Sequence, residues 1–318
     1  MGLIDLANWL STSSTLRNIV FTPIFILLGA LIIHQGVHAG IERWSSRLMP
    51  ILLLMLIGLV IYILQQEGAQ EGIALYLIPD FKQVLEPKLI ISAMGQAFFS
   101  LSIGVGGMMV YGSYMKKGQD IGKLVLSIAA LDTFIAFLAG LLIIPALFVA
   151  QHAGQEVFSE GNLIGEGQLI FQILPSLFAS MGSVGLIVSL CFFTLLSIAA
   201  LTSTISSTEV PVSYLVEDKK VNRKRATWLV SFVVLIASMT LIAFFDVLFG
   251  LVIQLLTTIL QPLMSLFYFI VVGWIWKRGN QLTDIAKLQS NKKLNMFGFY
   301  LRYFCPVLLT IVFINVAF

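Results

Sequence analysis

The apolar residues of this chain run together in long blocks. Stretches free of Asp, Glu, Lys and Arg cover 18–41, 48–66, 89–115, 133–155, 167–208, 226–245, 247–276 and 303–318. A helix needs about 20 mostly apolar residues to cross the hydrocarbon layer of a membrane. The block 167–208 is too long for one crossing. Its first part, GQLIFQILPSLFASMGSVG, contains Pro175 with several Gly and Ser residues and reads as an amphipathic loop hairpin. Its second part, from about Leu186, reads as the span. A further helix is expected to start near Ile121 and to carry Asp132 inside it. The pattern predicts an all-α integral membrane protein with about eight transmembrane helices.

Composition agrees. Of 318 residues, 58% are apolar and 11% charged, where a soluble domain carries about a quarter charged. A soluble enzyme, a nucleic-acid binder and a disordered chain are excluded. The net charge of +3 is too small to imply a polyanionic partner. Cys191 and Cys305 lie in apolar runs, so neither a disulfide framework nor a metal site is suggested.

The placement of charge is more informative than its sum. Cytoplasmic loops are enriched in Lys and Arg. One set of alternate loops holds Arg43 and Arg47; Lys116, Lys117 and Lys123; Lys219, Lys220, Arg223, Lys224 and Arg225; and Lys277, Arg278, Lys287, Lys292 and Lys293, with Arg302 at the next helix start. That is sixteen of the 19 basic residues, leaving Arg17, Lys82 and Lys88 for the other side. Both ends of the chain are therefore expected outside. Residues 1–16 form no cationic leader. The start is expected to be either a short external tail or a segment that further helices would precede.

Three features are costly in lipid. Asp132 is a carboxylate among Leu, Ile, Ala and Phe, and inserting one costs about 2.5–3.5 kcal/mol on translocon scales. It faces either a cavity, ion or partner, or interfacial water near a helix end. The run Gly95–Gly107 concentrates three glycines in its last four residues. Glycine weakens a helix by up to about 1 kcal/mol relative to alanine. The helix is a candidate for breaking there, with its freed ends facing a cavity; small-residue packing against a neighbour is the alternative. In the third feature, residues 202–209, seven of eight positions are polar. Ala199, Thr202 and Ser203 stand at i, i+3 and i+4 on one helical face. A carbonyl and two hydroxyls there would suit a hard cation such as sodium, whereas an isolated Ser or Thr merely bonds back to the preceding turn.

His34 and His38 form an i, i+4 pair, and no carboxylate or cysteine is expected to complete a metal site around them. No Walker loop, nucleophile triad or zinc pattern occurs, so an enzyme reading has no supporting residues.

At these segments the sequence resembles the neurotransmitter:sodium symporter family, in particular its bacterial amino-acid transporters. GQAFFSLSIGVGGMMVYGSYMKKGQDI is similar to the family's broken sixth helix and the turn after it. AALTSTISSTEVPVSYLVED is similar to the eighth helix, and GIERWSSRLMP to the join of the fourth and fifth. The resemblance implies a five-plus-five inverted-repeat fold entered just before the fourth helix. Residues 1–318 would form a single transmembrane domain: 17–66 the end of the first repeat, 89–276 a complete second repeat, and 297–318 an additional helix. No Asn-Ala-x-Gly-x-Gly-Asn type motif of the broken first helix is present, so the fold is expected to lack its first three helices, supplied by a missing N-terminal segment or a second polypeptide.

The resemblance further implies sodium-dependent symport of an apolar amino acid across the plasma membrane, in a bacterium the inner membrane, by alternating access. The alternative is a non-transporting remnant. Sodium ligands would be the Ala199 carbonyl, the Thr202 and Ser203 hydroxyls, and Ser100 with Asp132. The place of Asp132 is held by an amide in many relatives. Chloride-dependent members carry a Ser where this chain has Ala136, so no chloride requirement is implied. Phe99, Ser100, Ser102, Val105, Gly106, Ser203 and Ser207 correspond to substrate-pocket positions. Glu217 corresponds to the cytoplasmic gate acid, with Tyr114 as the aromatic beside it. The outer-gate acid is replaced, with Gln254 nearby. The implied partners are an amino acid, sodium and the lipid bilayer, with no nucleic acid.

Overall fold

A backbone that crosses hydrocarbon must satisfy its own polar groups, and most of the described residues do so as helix. The computed structural model describes residues 15–79, 81, 86–115, 120–155, 157–159, 162–163, 170, 173–276 and 298–317. In chain order the helices are α1 (Thr15–Ile33), α2 (Arg43–Ile63), α3 (Ala69–Leu77), α4 (Pro87–Ser100), α5 (Gly107–Ser113) and α6 (Ile121–His152). They continue with α7 (Leu174–Ser180), α8 (Gly182–Glu217), α9 (Arg223–Ala243), α10 (Phe245–Ile253), α11 (Gln261–Ile270) and α12 (Cys305–Ala317). Wider π turns at Val37–Glu42, Gln254–Leu260, Val271–Ile275 and Tyr300–Phe304 extend or join them. A two-stranded antiparallel ladder, β1 (Phe158–Ser159) with β2 (Asn162–Leu163), is a small departure from the all-helical expectation.

Among the described residues, six helices are long and apolar enough to span a membrane: Thr15–Ile33, Val37–Ile63, Ile121–His152, Gly182–Glu217, Arg223–Ala243 and Val247–Ile275. The two other expected spans take different forms. The block 89–115 is divided into α4 and α5, of 14 and 7 residues. The last block contributes the shorter apolar stretch Tyr300–Ile311. Prolines inside α1, α2, α6 and α8 (Pro23, Pro50, Pro145 and Pro211) leave those helices continuous.

The segment before α8 corrects the sequence reading. Within its described residues, 174–180 form the helix α7, whose Leu174, Leu177 and Phe178 are buried. Proline in the first turn of α7 costs no hydrogen bond. Helix α8 starts at Gly182, four residues earlier than expected, because Gly182 adopts a left-handed φ of 66° that turns the chain out of α7. Lys82, Lys116, Lys117 and the basic stretch 277–297 lie outside the described residues.

The chain divides into two compact units. The first comprises residues 1–79, 133–205 and 223–235. Its core is a stripe on α2 (Leu52, Leu56, Leu59, Val60 and Ile63) packed with Leu142, Ala146 and Leu147 of α6, Phe178 of α7, and Val188 and Phe192 of α8. The stripe spacing of four, three and four residues is what one buried helical face requires. Tyr76 of α3 lies on Gly140 of α6 and its hydroxyl donates to the Phe137 carbonyl at 3.3 Å. At the other end, Arg223 Nε donates to the Ile33 carbonyl, 3.2 Å away, satisfying an acceptor at the end of α1.

The second unit comprises residues 80–132, 206–222 and 236–318. Here α11 packs along α12, which also meets α4. Arg302 Nε donates to the Gly273 carbonyl at 2.8 Å and Trp274 Nε1 donates to the Arg302 carbonyl at 3.2 Å, tying the end of the α11 segment to the start of the α12 segment.

Candidate functional site: a helix break beside a carboxylate

Within the second unit, α4 stops at Ser100 and α5 begins at Gly107. Between them the chain turns on Ser102 (φ 52°), Gly104 (φ 92°) and Gly106 (φ 88°). Positive φ is cheap for glycine and costs an L side chain about 1–2 kcal/mol. Ser102 is therefore a strained position of the kind found at functional sites. Gly104 has a second requirement. A Cβ on it would collide with the Gln261 carbonyl oxygen and the Ser265 hydroxyl of α11.

The break frees backbone carbonyls that a continuous helix would use. Ser265 Oγ lies 3.0 Å from the Ile103 carbonyl and 2.8 Å from that of Gln261. Gln261 Nε2 donates to the Phe98 carbonyl at 3.3 Å. Both side chains are enclosed, Ser265 at 0% exposure and Gln261 at 8%.

Ser100, the last residue of α4, and Asp132 of α6 are brought together. The Ser100 hydroxyl donates into the carboxylate, 2.8 Å from Oδ1 and 2.9 Å from Oδ2. One proton shared by two carboxylate oxygens leaves the serine lone pairs and most carboxylate acceptor positions available to a cation. Hard cations prefer such oxygen donors. Asp132 thus faces a partner within the protein rather than a helix end.

In the first unit, the Thr202 hydroxyl of α8 donates to the Ala199 carbonyl at 2.9 Å and also lies 3.2 Å from that of Ile198. This is the ordinary back-bond of a helical threonine. It also brings two of the three expected sodium-binding oxygens into contact. Thr202 is buried and Ser203 is exposed. Ser203 and Ser207 stand one turn apart on α8, both exposed.

The residues of the second unit that the resemblance would place in a substrate pocket lie at the break. Phe99 and Val105 expose about half their surface, 53% and 49%. Gly106 lies against Val210 and Tyr268. A cavity of about 320 Å³ lies in this unit, lined by Gln96, Phe98 and Phe99 of α4, by Gln261 and Ser265 of α11, and by Leu309 of α12.

Tyr114, expected beside the gate acid, meets another acid of α8. The Tyr114 hydroxyl donates to Glu209 Oε1 at 2.9 Å, two turns before the exposed Glu217 at the end of α8. One turn earlier on both elements, the Tyr111 hydroxyl donates to Ser206 at 3.0 Å. Glu209 is fully enclosed. The sequence reading gave it no role, although Tyr111 with Tyr114 and Ser206 with Glu209 share the same i, i+3 spacing. Gln261 and Ser265 also went unassigned. Their signal is a polar stripe, Gln254, Thr257, Gln261 and Ser265, along an otherwise apolar block.

The histidine pair also needs correcting. Glu42, one turn on, contacts His38 Nδ1 at 2.7 Å, so a carboxylate is in place. His34 instead bonds the Leu31 carbonyl at 2.8 Å. Among the described residues no group of three metal-binding side chains forms.

A broken helix backed by another helix, beside an intramembrane carboxylate, is the arrangement that the sequence resemblance implies. The model of the sodium:neurotransmitter symporter family matches residues 6–318. The chain belongs to this family. It is similar to an uncharacterised sodium-dependent transporter, YhdH, of Bacillus subtilis, at 30% identity over 92% of this chain and 65% of that protein. Another, from Haemophilus influenzae, is 36% identical over 65% of this chain and 43% of its own length. The crystal structure of MhsT in complex with L-phenylalanine superposes with a TM-score of 0.79 at 32% identity, covering 94% of this chain and 68% of that one. The chain thus spans less than two thirds of the length of these curated relatives. It is a multi-pass membrane protein of a symporter family.

Proposed function

We propose that this protein couples sodium movement to the uptake of an amino acid across the plasma membrane, a bacterial inner membrane, by alternating access. The observation that carries the reading is the Ser100–Asp132 contact at the helix break, which gathers hydroxyl and carboxylate oxygens where a cation would meet the freed ends of α4 and α5. Ala199, Thr202 and Ser203 form a second sodium site, its carbonyl and one hydroxyl already in contact. The substrate is an apolar amino acid. Exposed Phe99 and Val105 offer it apolar contact, and the similar MhsT was crystallised with L-phenylalanine. Ser102, Gly106, Ser203 and Ser207 complete the substrate positions, and Glu217 is the gate acid near the cytoplasmic end. Asp132 supplies a fixed negative charge beside the cation, so no chloride is required.

The energetics suffice. One positive charge crossing 100 mV yields about 2.3 kcal/mol, which is roughly fifty-fold accumulation. The test is uptake of radiolabelled phenylalanine and leucine into proteoliposomes containing the full chain. Uptake is expected to require an inward sodium gradient and to persist when gluconate replaces chloride. Uptake indifferent to sodium would sink the reading.

A further inference from the structure

At the break the Phe98 carbonyl keeps a single widened-turn backbone partner, the Ile103 N–H at 3.1 Å, and the Ile103 carbonyl has left the helical ladder. An under-satisfied carbonyl in a low-dielectric setting is costly. Helix α11 supplies one donor to each side. Gln261 bonds the Phe98 carbonyl, two residues before Ser100, and Ser265 bonds the Ile103 carbonyl, three residues after it. The Ser265 hydroxyl is shared between the Gln261 carbonyl of its own helix at 2.8 Å and the Ile103 carbonyl at 3.0 Å, whereas the Thr257 hydroxyl of the same stripe bonds back to Ile253 at 2.8 Å. Both contacts are shielded from water, and Gly104 presses directly on the Gln261 carbonyl and Ser265 hydroxyl, which leaves the loop no slack. The serine that meets Asp132 is therefore held from both flanks.

We propose that Gln261 and Ser265 are positioning residues that set the angle at which Ser100 faces Asp132, and with it the sodium affinity of that pair. The inference rests on the sodium reading above. They touch neither ion nor substrate; they act through the backbone of the broken helix.

The test measures binding of radioactive sodium, as sodium chloride alone, to the purified full chain and to Ser265→Ala, Gln261→Met and Thr310→Val. Thr310 makes the same hydroxyl-to-carbonyl bond, to Pro306 at 2.8 Å, but on α12 and away from the break. The half-saturating sodium concentration is expected to rise about fivefold in Ser265→Ala and in Gln261→Met, the scale of one lost hydrogen bond, and to stay unchanged in Thr310→Val. Amide exchange at 101–106 should accelerate about fivefold in Ser265→Ala only. If Ser265→Ala fails to fold, the shape-preserving Gln261→Met carries the test. Sodium binding that is present but unmoved by either substitution overturns this proposal alone. Sodium binding absent from the unsubstituted protein overturns the sodium reading and this proposal with it.

Discussion

Two membrane segments of this protein carry comparable concentrations of small and polar residues at mid-span, yet one is broken and the other is not. Between α4 and α5 the run ends in Gly104, Gly106 and Gly107. In α8 the run from Thr202 to Glu209 lies inside a continuous helix of 36 residues. The difference follows from what each side chain does with the backbone. In α8, Thr202 and Thr204 spend their hydroxyl protons on carbonyls of the preceding turn, Thr204 on Ala200 at 2.9 Å. Those two hydroxyls are thereby satisfied inside the helix, while Ser206 and Glu209 accept from Tyr111 and Tyr114 without breaking it. Glycine has nothing to offer in this way, and its freedom at positive φ lets the chain leave the helix. Even proline is less disruptive here: Pro211 sits within α8 without ending it. Polarity in a membrane helix is therefore a weaker breaking signal than glycine backed by an external hydrogen-bond donor.

The comparison can be broken most forcefully at Gly104. Gly104→Ala combines an unfavourable φ with a collision against α11, and is expected to destabilise the protein by about 3 kcal/mol. Unfolding in mixed detergent would measure this. Stability equal to wild type would show that α11 does not pin the loop. A middle-sized effect separates structure from function in α8. Thr202→Ala replaces a back-bonding residue with a better helix former, so stability should change by less than about 1 kcal/mol. Half-saturating sodium should still rise about tenfold, as the loss of one ligand worth about 1.4 kcal/mol would produce, and Thr202→Ser should restore it. Unchanged sodium dependence would reduce Thr202 to its back-bond. The smallest effect belongs to Gly107. A Cβ there meets nothing within 4 Å, and the residue opens α5 at an ordinary φ. Gly107→Ala is expected to be neutral or to stabilise by about 0.5 kcal/mol, measured in the same assay. A large loss would mean that the break needs flexibility on its α5 side as well.

Much of this contrast was legible in the chain. The spacing Gly104-Val105-Gly106-Gly107 marked the break, and a lone acid at Asp132 marked a place that needed a partner. Which partner was not legible. Ser100 lies 32 residues from Asp132, and Tyr114 lies 95 residues from Glu209. Helical periodicity relates residues only a few positions apart, so it gave Glu209 no partner, and the resemblance offered Glu217 as the acid beside Tyr114. The reading of 174–180 as loop failed for a related reason. Proline, glycine and serine there raised a turn signal, but Pro175 opens a helix at no hydrogen-bond cost and Leu174, Leu177 and Phe178 gain burial from α2, α6 and α8.

The sequence by itself determined that this protein lives in a membrane, that its long apolar blocks are helices, and that one of them is a candidate for breaking. Those properties depend on hydrophobicity and backbone freedom, which each residue carries with it. Tertiary structure alone decided which side-chain donors meet the carbonyls at the break. Ser265 reaches Ile103 across 162 residues of sequence, and Gln261 reaches Phe98 across 163. A hydrogen bond needs atoms within about 3 Å, and contacts over such separations exist only after the helices have packed.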